Sequence, residues 1–118
     1  MGKECIAFQI RDAKEAMRHM NCDIVKDYGD YAYGHPLHSW DDGKCYLARC
    51  RNCGGYILVQ KSEFHGMQDD DYYTDYFPVS GAEEAEELNR RYDGFAIERH
   101  FTKRYLMMTN LRLHWSKE

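Results

Sequence analysis

The stretch Cys45–Gln60, CYLARCRNCGGYILVQ, decides the fold: two cysteines in C-x-x-C spacing, a glycine pair directly behind them, and strand-forming runs on both sides. Cys50 and Cys53 followed by Gly54 and Gly55 have the form of a rubredoxin-type knuckle. In such a knuckle the amides of a tight turn point at two thiolates, and glycine lets the backbone fold back toward them. A redox pair needs a helix starting at its first cysteine, because the helix N-terminus lowers that thiol's pKa. Glycines and a β run follow here instead, so the reading is a hairpin carrying half of a structural zinc site, against the plain alternative of two buried, unliganded thiols.

A closed zinc site needs two more ligands, and strand geometry ranks them. Cys45 lies five extended residues before Cys50, about 16 Å away at roughly 3.3 Å per residue, which is out of reach of the same ion. His65 is carried off in the same way along YILVQKSEF. His35 is different. If Asp42 and Gly43 of "DDG" form a hairpin turn, pairing outward sets Trp40 opposite Cys45 and His35 opposite Cys50, so that "HPLH" arrives at the knuckle. His35 is then the third ligand and His38 the fourth, with Cys22 as the rival.

Working outward, CIAFQI alternates apolar residues at Ile6, Phe8 and Ile10, the period of a half-buried strand. Asp12 with Glu15 three residues on makes a capping box, and Ala13, Ala16, Met17 and Met20 share the face of a helix that Asn21 stops. IVKDYGDYAYGHPLHSW, CYLARC and YILVQKSEF read as three strands around two turns. Ser80 and Glu83 suggest a second capping box, followed by a helix with Ala85, Leu88 and Tyr92 on one face, Glu86–Arg90 and Glu87–Arg91 as charge pairs, and Gly94 as its end. FAIERHFTKRYLMM alternates Phe95, Ile97 and Phe101 and reads as a long strand. The expected fold class is α+β: one small domain over 1–118, an antiparallel sheet with a zinc-knuckle hairpin (about 35–65), an acidic loop and helix (about 69–93), a C-terminal strand region (about 95–115) and two helices.

A chain of 14.0 kDa with 43% hydrophobic residues can bury a core but leaves little stability to spare, so a metal staple would help. No segment has the apolar length of a membrane span or a signal peptide, and five cysteines would leave one thiol over in a disulfide framework. A reducing, cytoplasmic location is expected. The net charge of −4 is zoned: Met1–Gln68 is balanced, Asp69–Glu87 holds eight acids and no base, and Leu88–Glu118 holds seven bases and three acids. The block DDDYYTDYFPVSGAEEAEE interleaves carboxylates with aromatics, either as a solvated surface or as an interface for something basic.

The motifs RCRNCGGYILVQKSEFH, YYTDYFPV and AEELNRRYDGF together resemble a group of small uncharacterised proteins of bacterial mobile elements and phages, over roughly Trp40 to Ile97. The resemblance implies a small zinc-ribbon-like accessory protein and carries no catalytic residue. By context alone it also implies inhibition of host defence, the role of anti-CRISPR proteins. There is no P-loop, dinucleotide fingerprint, nucleophile elbow or metalloprotease motif, and HPLHSWDD is the one cluster that could hold a catalytic metal. Two non-catalytic readings follow. In the favoured one Asp69, Asp70, Asp71, Tyr72, Tyr73, Asp75 and Tyr76 contact a basic host or phage protein, itself a nucleic-acid-binding effector in one form of the reading. In the other the chain binds nucleic acid through the knuckle and through Arg99, Lys103, Arg104 and Arg112, with Phe101, Tyr105 and Trp115 stacking. The pI near 5.8 argues against the second, since phosphate affinity comes from positive faces.

Overall fold

The strand-forming runs on either side of the knuckle become the centre of a six-stranded antiparallel sheet with the order β1-β2-β3-β4-β5-β6, each strand pairing with the next in the chain. The computed structural model describes residues 2–32, 42–65, 70–91, 97 and 101–117. The strands are β1 Cys22–Ala32, β2 Asp42–Cys50, β3 Tyr56–His65, β4 Asp70–Val79, β5 Leu106–Thr109 and β6 Arg112–Trp115; the helices are α1 Ala13–His19 and α2 Ala82–Arg91. No helix among the described residues is long and apolar enough to cross a membrane.

Both faces of the sheet are covered, which is why YILV is a continuous apolar run where a half-buried strand would alternate. On one face Ala48, Cys50, Ile57, Val59, Leu106 and Trp115 pack with Ala7, Phe8 and Ala16 from the N-terminal segment and α1. On the other, Cys45, Leu47, Leu58, Phe77 and Val79 pack with Ala85 of α2 and with Ile97 and Tyr105. Pro78 is tolerated within β4 because β5 pairs only with Tyr73–Tyr76, so no ladder bond to β5 is lost there.

Asp12 caps α1, its side chain accepting from the Glu15 N–H at 3.2 Å, and Ala16 is fully buried on the expected face. The helix stops one turn's edge earlier than Asn21, with Met20 already extended. In α2 the reciprocal cap is displaced by one residue: the Ser80 N–H donates to Glu84 Oε1 at 2.7 Å. Ala85 is buried and Leu88 packs beside it, as the periodicity predicts, whereas Tyr92 and Gly94 lie outside the described residues. Arg90 pairs with Glu87 one turn away, and Glu86 instead reaches Lys26 of β1 at 2.6 Å.

Three sequence expectations are corrected. CIAFQI is a 3-10 turn over Ile6–Gln9, in which neighbouring Ala7 and Phe8 are buried together and Ile6 is 43% exposed. The segment lies across the sheet and not within it: Arg104 donates to the carbonyls of Phe8, Ile10 and Arg11, replacing ladder bonds. The C-terminal run is no long strand, since Ile97 is helical and, among the described residues, pairing is confined to Leu106–Thr109, which turns through Asn110 and Leu111 into β6. Finally, Asp42 and Gly43 make no hairpin turn: they pair with Ala32 and Tyr31 of β1 and with Glu63 and Ser62 of β3. A local turn signal loses to ladder partners on both sides. The register that results puts Cys22, and not His35, opposite Cys50.

Candidate metal centre

The knuckle forms where β2 ends and β3 begins. The Gly54 N–H donates to the Cys50 carbonyl at 2.8 Å, the Cys50 N–H to the Gly55 carbonyl at 2.8 Å, and the Gly55 N–H to Cys53 Sγ at 3.4 Å. Gly54 has φ +75°, the left-handed region in which a side chain is strained. Gly55 is needed for a different reason: a Cβ there would sit 2.3 Å from Cys5 Cα and 2.4 Å from Cys5 N. The N-terminal segment therefore runs hard against the knuckle, held by Tyr56 N–H to Lys3 O at 2.8 Å and Cys5 N–H to Tyr56 O at 3.3 Å.

That approach brings in Cys5, whose Sγ lies 3.6 Å from Cys53 Sγ. From the opposite side α1 ends at the knuckle. The His19 carbonyl accepts from Asn52 Nδ2 at 2.6 Å and lies 3.5 Å from Cys50 Sγ. The ligand atoms of Cys5, His19, Cys50 and Cys53 all fall within 4.8 Å of one another. Cys5 and Cys50 are each 1% exposed.

This set can hold a metal ion. Tetrahedral coordination with metal–sulfur bonds near 2.3 Å puts sulfurs about 3.8 Å apart, close to the Cys5–Cys53 spacing. His19 Nε2 is buried with no hydrogen-bond partner, which is costly for a polar atom unless something else satisfies it; an ion bound by the three thiolates would. Burial pushes the Cys5 thiol upward. Burial also acts to raise Cys50, but the backbone N–H groups of Asn21, Cys53 and Asn52 outweigh it and hold that thiol below its ordinary value, which is how a knuckle favours thiolate. Burial and then the neighbouring Cys50 and Cys53 push Cys22 up to about 12.

Of the residues proposed from sequence, Cys50 and Cys53 come together here, while His35 and His38 lie outside the described residues, as do the remaining residues of HPLHSWD through Asp41. Cys45 packs on the opposite sheet face, as its odd spacing from Cys50 requires, and His65 pairs with Asp70 at the far end of β3. Cys5 and His19 were not anticipated. The signal was present in the helix that ends at His19, but nothing local showed that the segment before Asp12 folds over the knuckle.

The first half of the acidic, aromatic block, Asp70–Val79, is strand β4 and not a loop, so its side chains divide between faces, while the second half is helical as expected. Tyr72 is 51% exposed, Asp71 accepts from Asn110 Nδ2 at 2.9 Å, Tyr73 and Tyr76 are half-buried, and Asp75 is 4% exposed. Asp69 lies outside the described residues, and of Asp70 only the backbone pairing with His65 is described. Exposed carboxylate is denser on α2, where Glu83, Glu84, Glu86 and Glu87 line a cleft with Glu4, Arg90 and Lys103. Of the groups proposed to grip nucleic acid, Tyr105 and Trp115 are 8% and 6% exposed. Arg104 stacks on Trp115 at 3.6 Å while holding three carbonyls, and Lys103 is paired with Glu4 and Glu84. No family model, curated protein or solved structure matches this chain.

Proposed function

We propose that this protein is a non-catalytic protein-binding module built on a structural zinc site, and that its acidic surface receives a basic protein. The observation that carries the reading is the closed donor set: Cys5, His19, Cys50 and Cys53 supply four protein ligands, two of them almost fully buried. Catalytic zinc keeps a position open for water or substrate, whereas a three-thiolate, one-imidazole set is the composition of structural sites. Zinc is favoured over harder cations by the thiolates.

The carboxylates of α2, of which Glu84, Glu86 and Glu87 also pair with Lys103, Lys26 and Arg90, together with exposed Tyr72 support a basic partner, because charge steers encounter and an aromatic side chain anchors it. Burial of Tyr105 and Trp115, two of the expected stacking residues, weighs against the nucleic-acid alternative. The resemblance to small proteins of mobile elements and phages supports an inhibitory role toward host defence, of which anti-CRISPR activity is one form.

Elemental analysis of protein purified without chelator should find about one zinc per chain; a content near zero removes the zinc reading. Capture from host extract with and without nuclease tests the partner. Retention of a basic protein after nuclease, weakened by salt and by changing Glu83 and Glu87 to Gln, is expected, whereas capture that disappears with nuclease supports nucleic acid instead.

A further inference from the structure

A fourth sulfur stands beside the three of the metal centre. Cys22 is exposed and is the register partner of Cys50 across β1 and β2. The type of pair follows from the neighbouring bonds. The Arg51 N–H donates to the Asn21 carbonyl at 2.8 Å, and the Cys50 N–H is committed to Gly55, so Cys22 and Cys50 form a non-hydrogen-bonded antiparallel pair. In such pairs the Cα atoms lie about 4.5 Å apart and the side chains approach most closely. That separation is at the short end of the range of about 4.4–6.8 Å that a disulfide spans. The pair is also clamped, since Arg51 Nε, in the turn directly after β2, donates to Asp23 Oδ2 of β1 at 2.7 Å.

We propose that Cys22 is the resolving thiol of an oxidative modification site, through which a hydroperoxide links Cys22 to Cys50 and expels the metal. This rests on the zinc reading above. Cys50 thiolate attacks the peroxide oxygen, giving a sulfenic acid on Cys50 and releasing hydroxide or alkoxide. The Cys22 thiol then attacks the sulfenic sulfur, forming the disulfide and releasing water. The two sulfurs lose one electron each to the O–O bond that breaks. The metal loses one of its three thiolates, and a thiol reductant restores both cysteines. A bond at the short end of the range, with one of its sulfurs on exposed Cys22, is expected to be readily reduced, so the modification is reversible.

The test treats zinc-loaded protein with hydrogen peroxide, following zinc release with a chromogenic chelator and mapping disulfides by peptide mass spectrometry after alkylation. The expected result is a Cys22–Cys50 disulfide, one zinc released per disulfide formed, and recovery with dithiothreitol. Cys22→Ser, at an exposed position outside the four ligands, should keep its zinc and release it at least about tenfold more slowly. Disulfides confined to Cys5, Cys50 and Cys53, or equal release rates in the two proteins, would overturn the proposal. Protein that neither contains nor takes up zinc overturns the zinc reading instead, and the disulfide map of the metal-free protein still decides the thiol pair: Cys22–Cys50 supports it, and any other pairing sinks it.

Discussion

Gly55 carries a demand that no other residue type meets. Its missing side chain is where the Cys5 backbone passes, so Gly55→Ala must push the N-terminal segment away and take Cys5 Sγ from the site. We expect that substitution to lower stability by about 3 kcal/mol and to weaken zinc retention in an equilibrium competition with chelator. Retention equal to that of the unchanged protein would mean that Cys5 is not a ligand. The cysteines give a sharper contrast. Cys5→Ser and Cys50→Ser should each lose the metal, whereas Cys45→Ser, buried on the opposite face, should lose about 1–3 kcal/mol through an ill-matched hydroxyl and keep it. Equal metal loss in all three would sink the four-residue assignment. The sequence made Cys50 and Cys53 legible because their spacing and their glycines are local features. Cys5 and His19 were hidden because their role depends on one segment crossing another, which no spacing encodes.

At the scale of elements, the β5–β6 hairpin was the feature least visible in advance. Its two central residues, Asn110 and Leu111, have φ of 48° and 73°, the paired positive values of a type I′ turn. The usual sequence signal is Asn-Gly, and leucine in the second place conceals it. Asn110 also anchors the turn to β4: its N–H donates to the Tyr72 carbonyl and its Oδ1 accepts from the Tyr72 N–H, each at 2.8 Å. Leu111 is 87% exposed and buries little in return for its strained backbone. Leu111→Gly should therefore stabilise the protein by about 1 kcal/mol, raising Tm by roughly 4 °C, and calorimetry that shows no gain would refute the strain argument. The same reasoning explains the other misreadings. Helices α1 and α2 were legible because caps and 3.6-residue periodicity are local, while the β1–β2 register was not, because Asp42 and Gly43 take partners from two other strands. FAIERHFTKRYLMM alternated well enough to pass for a strand, yet Phe101 and Tyr105 pack on Phe77 as a cap over the sheet.

Across the whole molecule, two of the ties that hold the N-terminal segment in place are sensitive to acid. The first is the proposed metal centre, which would join Cys5 and His19 from the N-terminal segment to the knuckle between β2 and β3. Protons compete with a metal ion for its ligands, so a bound ion is expected to leave as pH falls. The second is Lys103, whose Nζ reaches Glu4 at 2.6 Å and Glu84 at 3.1 Å, linking the segment before the knuckle to α2. Burial acts to raise the Glu84 carboxyl, but the Ser80 N–H and Lys103 outweigh it and hold it below its ordinary value of 4.5. A carboxyl lowered on folding contributes stability that is present above its unfolded pKa and is lost as pH falls through the folded one. The two ties therefore separate on the pH scale. We expect zinc release first, with the carboxylate contribution failing only below about pH 4.5. Hydrogen exchange should show this spatially: with chelator at neutral pH, amides in residues 2–20 lose protection while those of β3 and β4 keep it, because their ladder and the face packed under α2 do not include the metal ligands. Glu84→Gln should leave the zinc-release profile unchanged and remove the second, more acidic step. Uniform loss of protection on chelation would mean instead that the metal supports the entire sheet, and a single acid transition in both proteins would show that the two ties act as one.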